Sequence, residues 1–165
     1  LQLFDQVQTL RPQHEKLQTS RGDALAKLGR FDEALTIFQN ELEKMPHDVA
    51  LQRRVAATLD RLGRSDEAIA EYRQALGDHS DDANVLHDLG ELLWRANRPA
   101  QALPLLGKYV TMRPGDAEAH ATLGFVYAQL QRFADAKAEF ETALRIDSQS
   151  QQGEEGLAML RRLGR

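Results

Sequence analysis

The chain has 165 residues, enough for one compact domain or one short repeat array at roughly 150 residues per domain. Its formal net charge is −4 and no extended basic block interrupts that balance, so nucleic acid is a poor candidate partner, because binding to phosphate needs clustered positive charge. There are no cysteines, which excludes disulfides, thiolate zinc sites and cysteine nucleophiles together.

The longer apolar stretches, such as residues 123–130 with Gly124 and Gln129 inside them, fall far short of the ~18 consecutive apolar residues of a membrane-spanning helix. The chain starts at Leu1 with no basic stretch leading into an apolar run. A soluble chain without membrane insertion and without an intact signal peptide is expected.

Taken in chain order, residues 1–14 read as the second helix of a partial repeat, with Phe4 and Pro12 each 34 residues ahead of Phe38 and Pro46. Helix pairs follow at 15–28 with 32–44, 49–62 with 66–76, 83–96 with 99–112, and 117–130 with 134–146. Each shows apolar residues at three- and four-residue spacing, as in Leu86, Leu89, Leu93 and Ala96, which marks an amphipathic helix. Leu28-Gly29-Arg30 and Leu62-Gly63-Arg64 end first helices with a glycine suited to the left-handed conformation. Asp32-Glu33 and Asp66-Glu67 then place acids at the positive end of the next helix.

In the third pair Asn97 stands where the turn glycine is expected, and Pro104 lies within the second helix. A proline there lacks an N–H and its ring crowds the carbonyl of Ala100, so a local kink is expected. Residues 151–165 read as a terminal first helix, whose Leu163-Gly164-Arg165 echoes Leu28-Gly29-Arg30 one residue early. Partial repeats at both ends carry the expectation that the array continues beyond them.

The pattern has a fixed period. Ala34, Ala68, Ala102 and Ala136 are each 34 residues apart, and Phe38, Tyr72, Leu106 and Phe140 follow them in step, as do Leu25, Leu59, Leu93 and Tyr127 on the preceding helices. Small residues let paired helices approach, and the bulky residue four places on fills the space beside the next pair. The third repeat carries Leu86, Leu89, Gly90, Leu93, Ala102, Leu106 and Pro114, and the fourth Leu123, Gly124, Tyr127, Ala136 and Phe140.

This motif resembles the tetratricopeptide repeat family; the first repeat departs from it with Gln18 and Arg21 at positions where large apolar residues are usual. The resemblance implies an all-α fold, a right-handed α-solenoid of antiparallel helix pairs. It also implies one array over residues 1–165, with repeats at 15–48, 49–82, 83–116 and 117–150. One pair cannot bury its apolar face alone, so stability is a sum of repeat and interface contributions.

Nothing in the chain has the spacing of catalysis. His14, His47, His79, His87 and His120 form no His-Glu-x-x-His helix or other zinc spacing, and there is neither a Gly-x-Ser-x-Gly elbow nor a phosphate loop. No enzymatic activity, metal or cofactor is expected. The acidic loop of His79, Ser80, Asp81 and Asp82 reads as the cap of the following helix, and His120, in register with Leu86, reads as packing.

The resemblance implies that first helices line a concave surface and that residues off their core stripe meet a protein or peptide ligand there. Arg53, Arg61, His87, Glu91, Trp94 and Phe125 are the candidate binding residues. Trp94, the only tryptophan, and Phe125 lie at similar heights on neighbouring first helices, and an aromatic pair is a natural anchor for a partner. Charge runs from Lys16, Lys27, Arg53 and Arg61 early in the chain to Glu91, Glu118 and Glu155 late in it, which suits a bipolar ligand.

The clamp with which some family members hold a C-terminal carboxylate maps onto Thr19, Asp23, Arg54, Asn84 and Asp88, a set with only one basic group, so that mode is disfavoured. Two other readings stay open: a scaffold that self-associates through incomplete terminal repeats, and the targeting or assembly region of a larger enzyme or export complex.

Overall fold

A computed structural model describes residues 15–78 and 81–164. Among the described residues there are nine helices and no strand. They are α1 (Glu15–Lys27), α2 (Phe31–Lys44), α3 (Val49–Arg61), α4 (Ser65–Asp78), α5 (Ala83–Arg95), α6 (Pro99–Met112), α7 (Ala117–Gln129), α8 (Phe133–Ile146) and α9 (Gln151–Arg162). The partial repeat expected over 1–14, with Phe4, Pro12 and His14, lies outside the described residues, as do His79 and Ser80.

Two kinds of turn alternate, each written locally. Before α3, α5, α7 and α9 stand Asp48, Asp82, Asp116 and Ser150, whose side chains accept hydrogen bonds from the N–H groups of Leu51, Val85, Ala119 and Gly153. Each satisfies an amide that the first helical turn leaves without a partner. The capping role expected of the acidic loop falls to Asp82.

First helices end differently, in a left-handed residue: Gly29 (φ 76°), Gly63 (φ 75°), Asn97 (φ 57°), Gln131 (φ 61°) and Gly164 (φ 69°). The arginine that follows donates its amide back to the helix, Arg30 to Leu25, Arg64 to Leu59, Arg98 to Leu93 and Arg132 to Tyr127, at 2.8–2.9 Å. Its side chain reaches forward, pairing Arg30 with Glu33 at 2.6 Å and Arg64 with Glu67 and Arg132 with Asp135 at 2.7 Å. These pairs are exposed and contribute little to stability.

The helices form two compact units, Leu1–Ser80 and Asp81–Arg165. In the N-terminal unit α1 packs on α2, α2 on α3 and α3 on α4. Its core holds Leu25, Ala34, Phe38, Leu51, Val55, Leu59, Ala68, Ile69 and Tyr72. In the C-terminal unit α5 packs on α6, α6 on α7, α7 on α8 and α8 on α9, with α7 also touching α5 and α9. Neighbours on several sides explain why α7 buries every residue from Ala119 to Gly124 as well as Val126.

Phe140 is fully buried in the C-terminal unit, its ring against Gly124 and Gly156. Removing such a ring from water contributes about 1.5–3 kcal/mol.

Two residues singled out by the sequence lie in this unit. Pro104 lies inside α6, which runs unbroken from Pro99 to Met112. His120 is buried on α7 as packing, with Nδ1 2.6 Å from Oε2 of Glu139 on α8. No helix among the described residues is long and apolar enough to cross a membrane.

Candidate functional site

Three first helices of the C-terminal unit bring their final turns to one place. Trp94 in the last turn of α5 stacks on Phe125 of α7, ring centroids 5.7 Å apart and planes 18° from parallel. Phe125 in turn sets its edge against the buried ring of Phe140, centroids 4.9 Å apart at 67°. Offset stacking followed by an edge-to-face contact is how aromatic quadrupoles pack, and it fixes Phe125 between core and surface. Trp94 and Phe125 are both half-buried, and among the described residues the indole Nε1 has no hydrogen-bond partner.

Ala128 and Gln129 on α7 and Met159 on α9, together with Leu163 just past its end, complete the walls of a pocket of about 220 Å³ beside this stack. Leu163 is 57% exposed, a large apolar side chain held at the rim.

One to two turns back along α5 lies a charged cluster. His87 Nδ1 is 3.5 Å from Oδ1 of Asp88 and its Nε2 is 3.9 Å from Oε1 of Glu91, while its ring lies tilted against Tyr109 of α6 at 4.7 Å. The hydrogen bond to Asp88, with Glu91 and Asp116 nearby, raises the His87 pKa above its ordinary value, against the opposing effect of burial. Burial, joined by the charges of Glu118 and Asp88, lifts the Glu91 carboxyl above its usual range in spite of His87 and Arg95.

The Tyr109 hydroxyl donates to Oδ2 of Asp116 at 2.7 Å, and that bond is the main reason its pKa is pushed up to about 12. Burial works against ionisation of Asp116, but the bonds from Tyr109 and from the Ala119 N–H outweigh it and hold the carboxyl below its usual range. Among the described residues no group of three or more His, Asp or Glu side chains is placed to hold a metal ion.

In the N-terminal unit Arg53 is half-buried on α3. Arg61, in the last turn of the same helix, lays its guanidinium over the ring of Phe31 at 5.2 Å, a cation–π contact with the start of α2. Arg54 is bonded to Asp23 of α1, Nε to Oδ1 at 3.0 Å and Nη2 to Oδ2 at 3.3 Å.

Residues 19–83 and 93–160 each match a sequence profile of the tetratricopeptide repeat. The chain belongs to the tetratricopeptide repeat family. No curated protein matches its sequence. Among solved structures, a crystal structure of MamA superposes with a TM-score of 0.81 at 19% identity, covering 88% of this chain and 79% of the other. MamA from Desulfovibrio magneticus RS-1 gives 0.78 at 21% identity over 81% and 76% of the two chains. YrrB, described as a tetratricopeptide protein with an unusual peptide-binding site, gives 0.79 at 17% identity over 94% and 80%. At these identities the likeness shows the fold, an all-α helical-repeat solenoid, in agreement with the class expected from the sequence.

For a tetratricopeptide protein the expected residues fall into distinct settings. Trp94 and Phe125 meet as a stack, with Glu91 about one turn and His87 about two turns before Trp94 on α5. Arg61 is engaged with Phe31. The one basic residue matching the family's carboxylate clamp, Arg54, has Asp23 as its partner, which adds to the case against that binding mode. Sequence reasoning missed Tyr109 and Asp116 beside His87, and Met159 and Leu163 beside Trp94. Asp116 was readable as a helix cap; Met159 and Leu163 depend on how α9 packs on α7 and α8.

Proposed function

We propose that this tetratricopeptide chain is a binding module that holds a segment of a partner protein against its first helices and performs no chemistry of its own. The Trp94–Phe125 stack carries the reading, because it leaves a partly exposed aromatic surface beside an open apolar pocket, the kind of position at which interface energy concentrates. Trp94 and Phe125 act as apolar anchors and His87 and Glu91 as polar contacts in the C-terminal unit. Arg53 and Arg61 supply charge in the N-terminal unit, and the repeats at 15–48, 49–82, 83–116 and 117–150 serve one array. The peptide-binding site named for YrrB supports the reading by analogy of fold.

Affinity capture from a native lysate tests it, with the wild-type chain beside Trp94→Ala and Arg53→Ala/Arg61→Ala variants matched for helix content. The expected result is a captured protein whose affinity falls about 30-fold in the Trp94 variant. If all variants capture the same proteins equally, or retain only further copies of the chain, a self-associating scaffold takes the place of this reading.

A further inference from the structure

An open cleft in the N-terminal unit is lined by residues of α2, α3 and α4 and has a volume of about 460 Å³, within the roughly 300–1,000 Å³ of sites that take a small-molecule ligand. Leu42 of α2 and Val55 of α3 make part of its wall apolar. Gln39 and Asn40 of α2 and Gln74 of α4 bring side-chain amides to it, and Glu43 of α2 and Glu71 of α4 bring carboxylates. Among the described residues none of these amides and carboxylates has a hydrogen-bond or ion-pair partner.

The lining is negative and rich in acceptors. It contains no basic residue, and Lys44, next in sequence to Glu43, is engaged elsewhere: its Nζ is 2.7 Å from Oε1 of Glu41. Glu41 is 2% exposed, and its Oε2 has no partner among the described residues. Gln52, fully buried on α3, donates from Nε2 to the carbonyl of Pro46 at 3.1 Å. That bond holds its amide against the wall that Pro46 forms, and its Oε1 has no partner among the described residues. Buried oxygens normally accept at least one hydrogen bond, so the surplus of acceptors favours a ligand that donates. Burial lifts the Glu71 carboxyl above its usual range, and no cation among the described residues offsets the effect.

We infer that the cleft binds an organic cation, a guanidinium or ammonium group on an aliphatic stem. Glu43 and Glu71 hold the charge, the amide oxygens of Gln39, Asn40 and Gln74 accept from its N–H groups, and Leu42 and Val55 cover the stem. Long basic side chains and their free analogues share this division into charged head and apolar stem. Charge-assisted bonds to carboxylates hold such a head more tightly than neutral acceptors do. The site lies in the N-terminal unit and does not depend on the binding-module reading, so either can fail without the other.

Heteronuclear NMR of the full chain tests the inference with agmatine as a free cation, N-acetylarginine amide as the side chain of a protein partner, and N-acetylcitrulline amide as the uncharged isostere. Agmatine, the arginine amide or both are expected to give saturable shifts at the side-chain amides of Gln39, Asn40 and Gln74, with Kd about 1 mM. Glu43→Gln/Glu71→Gln and added salt are each expected to weaken this binding, the double variant about tenfold, while Glu141→Gln in the C-terminal unit leaves it unchanged. The citrulline probe is expected not to saturate. Binding of agmatine alone makes a free amine or guanidine the ligand; binding of the arginine amide makes it a basic side chain of a partner.

Shifts that follow the citrulline probe equally, that persist undiminished in Glu43→Gln/Glu71→Gln, or that fall outside the cleft overturn the inference, as does the absence of saturation with both cations. The uncharged probe decides the matter on the wild-type chain even where the double variant fails to fold.

Discussion

The ring of Phe140 occupies the space in which a side chain at Gly156 would begin: a Cβ built there would lie 2.3 Å from Cε1 and 2.4 Å from Cδ1. The same ring crowds Gly124, where a Cβ would meet Cε1 at 2.6 Å. The aromatic residue of the fourth repeat is thus held between helices that come close because neither carries a side chain at the point of contact. Gly156→Ala is expected to lower stability by about 1–3 kcal/mol, because overpacking a rigid ring exceeds the ~1 kcal/mol that alanine gains in helix propensity. Urea unfolding checks it, and Phe140→Leu in the same background is expected to recover part of the loss. A gain in stability from Gly156→Ala alone would show that Phe140 moves aside freely.

Gly77 in α4 and Gly107 in α6 make the opposite case. Among the described residues, no atom beyond the chain neighbours and the helix's own backbone lies within 4 Å of a Cβ built at either. Gly77→Ala and Gly107→Ala are each expected to raise stability by about 0.5–1 kcal/mol, through the smaller entropy loss of alanine on folding. Matched thermal melts on the single variants decide it, a neutral or negative result contradicting the open surroundings.

Gln131 closes α7 with φ 61°, in the slot that Gly29 and Gly63 fill in the first two repeats. Gln131→Gly is expected to stabilise by about 0.5–1 kcal/mol, since glycine takes the left-handed region without a Cβ penalty. The reverse change, Gly63→Ala, is expected to destabilise by a similar amount in the same assay.

These turns also mark how far the sequence could be read. Gly29, Gly63 and Asn97 announce the left-handed position because glycine and asparagine tolerate it; Gln131 adopts it only because Arg132 and the next helix hold the chain there. The 34-residue spacing of alanines and bulky residues located the helices, since it reflects which side chains must interlock. The pocket was legible by half. Trp94 and Phe125 stand out as aromatics off the core stripe, but Met159 and Leu163 join them only through the packing of α9, whose closing glycine falls one residue early. Arg61 was legible as a charge, but not its placement over Phe31 of the following helix.

Arg54 and Asp23 join α3 to α1 through two hydrogen bonds, with side chains 38% and 41% exposed. At that exposure water and salt screen the pair. A double-mutant cycle with Arg54→Ala and Asp23→Ala is expected to return a coupling of about 0.5–1 kcal/mol that shrinks in added salt. A coupling several times larger would mean that the pair organises the first helices.

His87 gives the pH dependence. Its folded-state pKa is raised above the usual 6.5, first by the hydrogen bond to Asp88 and then by the charges of Glu91, Asp88 and Asp116, while Tyr109 covers one face of the ring. A histidine raised in this way contributes stability that is complete below the unfolded value and fades as pH rises through the folded value. His87→Gln is therefore expected to lower the urea midpoint at about pH 5.5 and to change it little at about pH 8.5. In wild type the His87 ring protons are expected to titrate above 6.5 by NMR, and Asp88→Asn is expected to bring that pKa down further than Glu91→Gln does. Titration at or below the ordinary value in the wild-type chain would mean that burial outweighs the three carboxylates. The stability of His87→Gln would then show the reverse trend with pH.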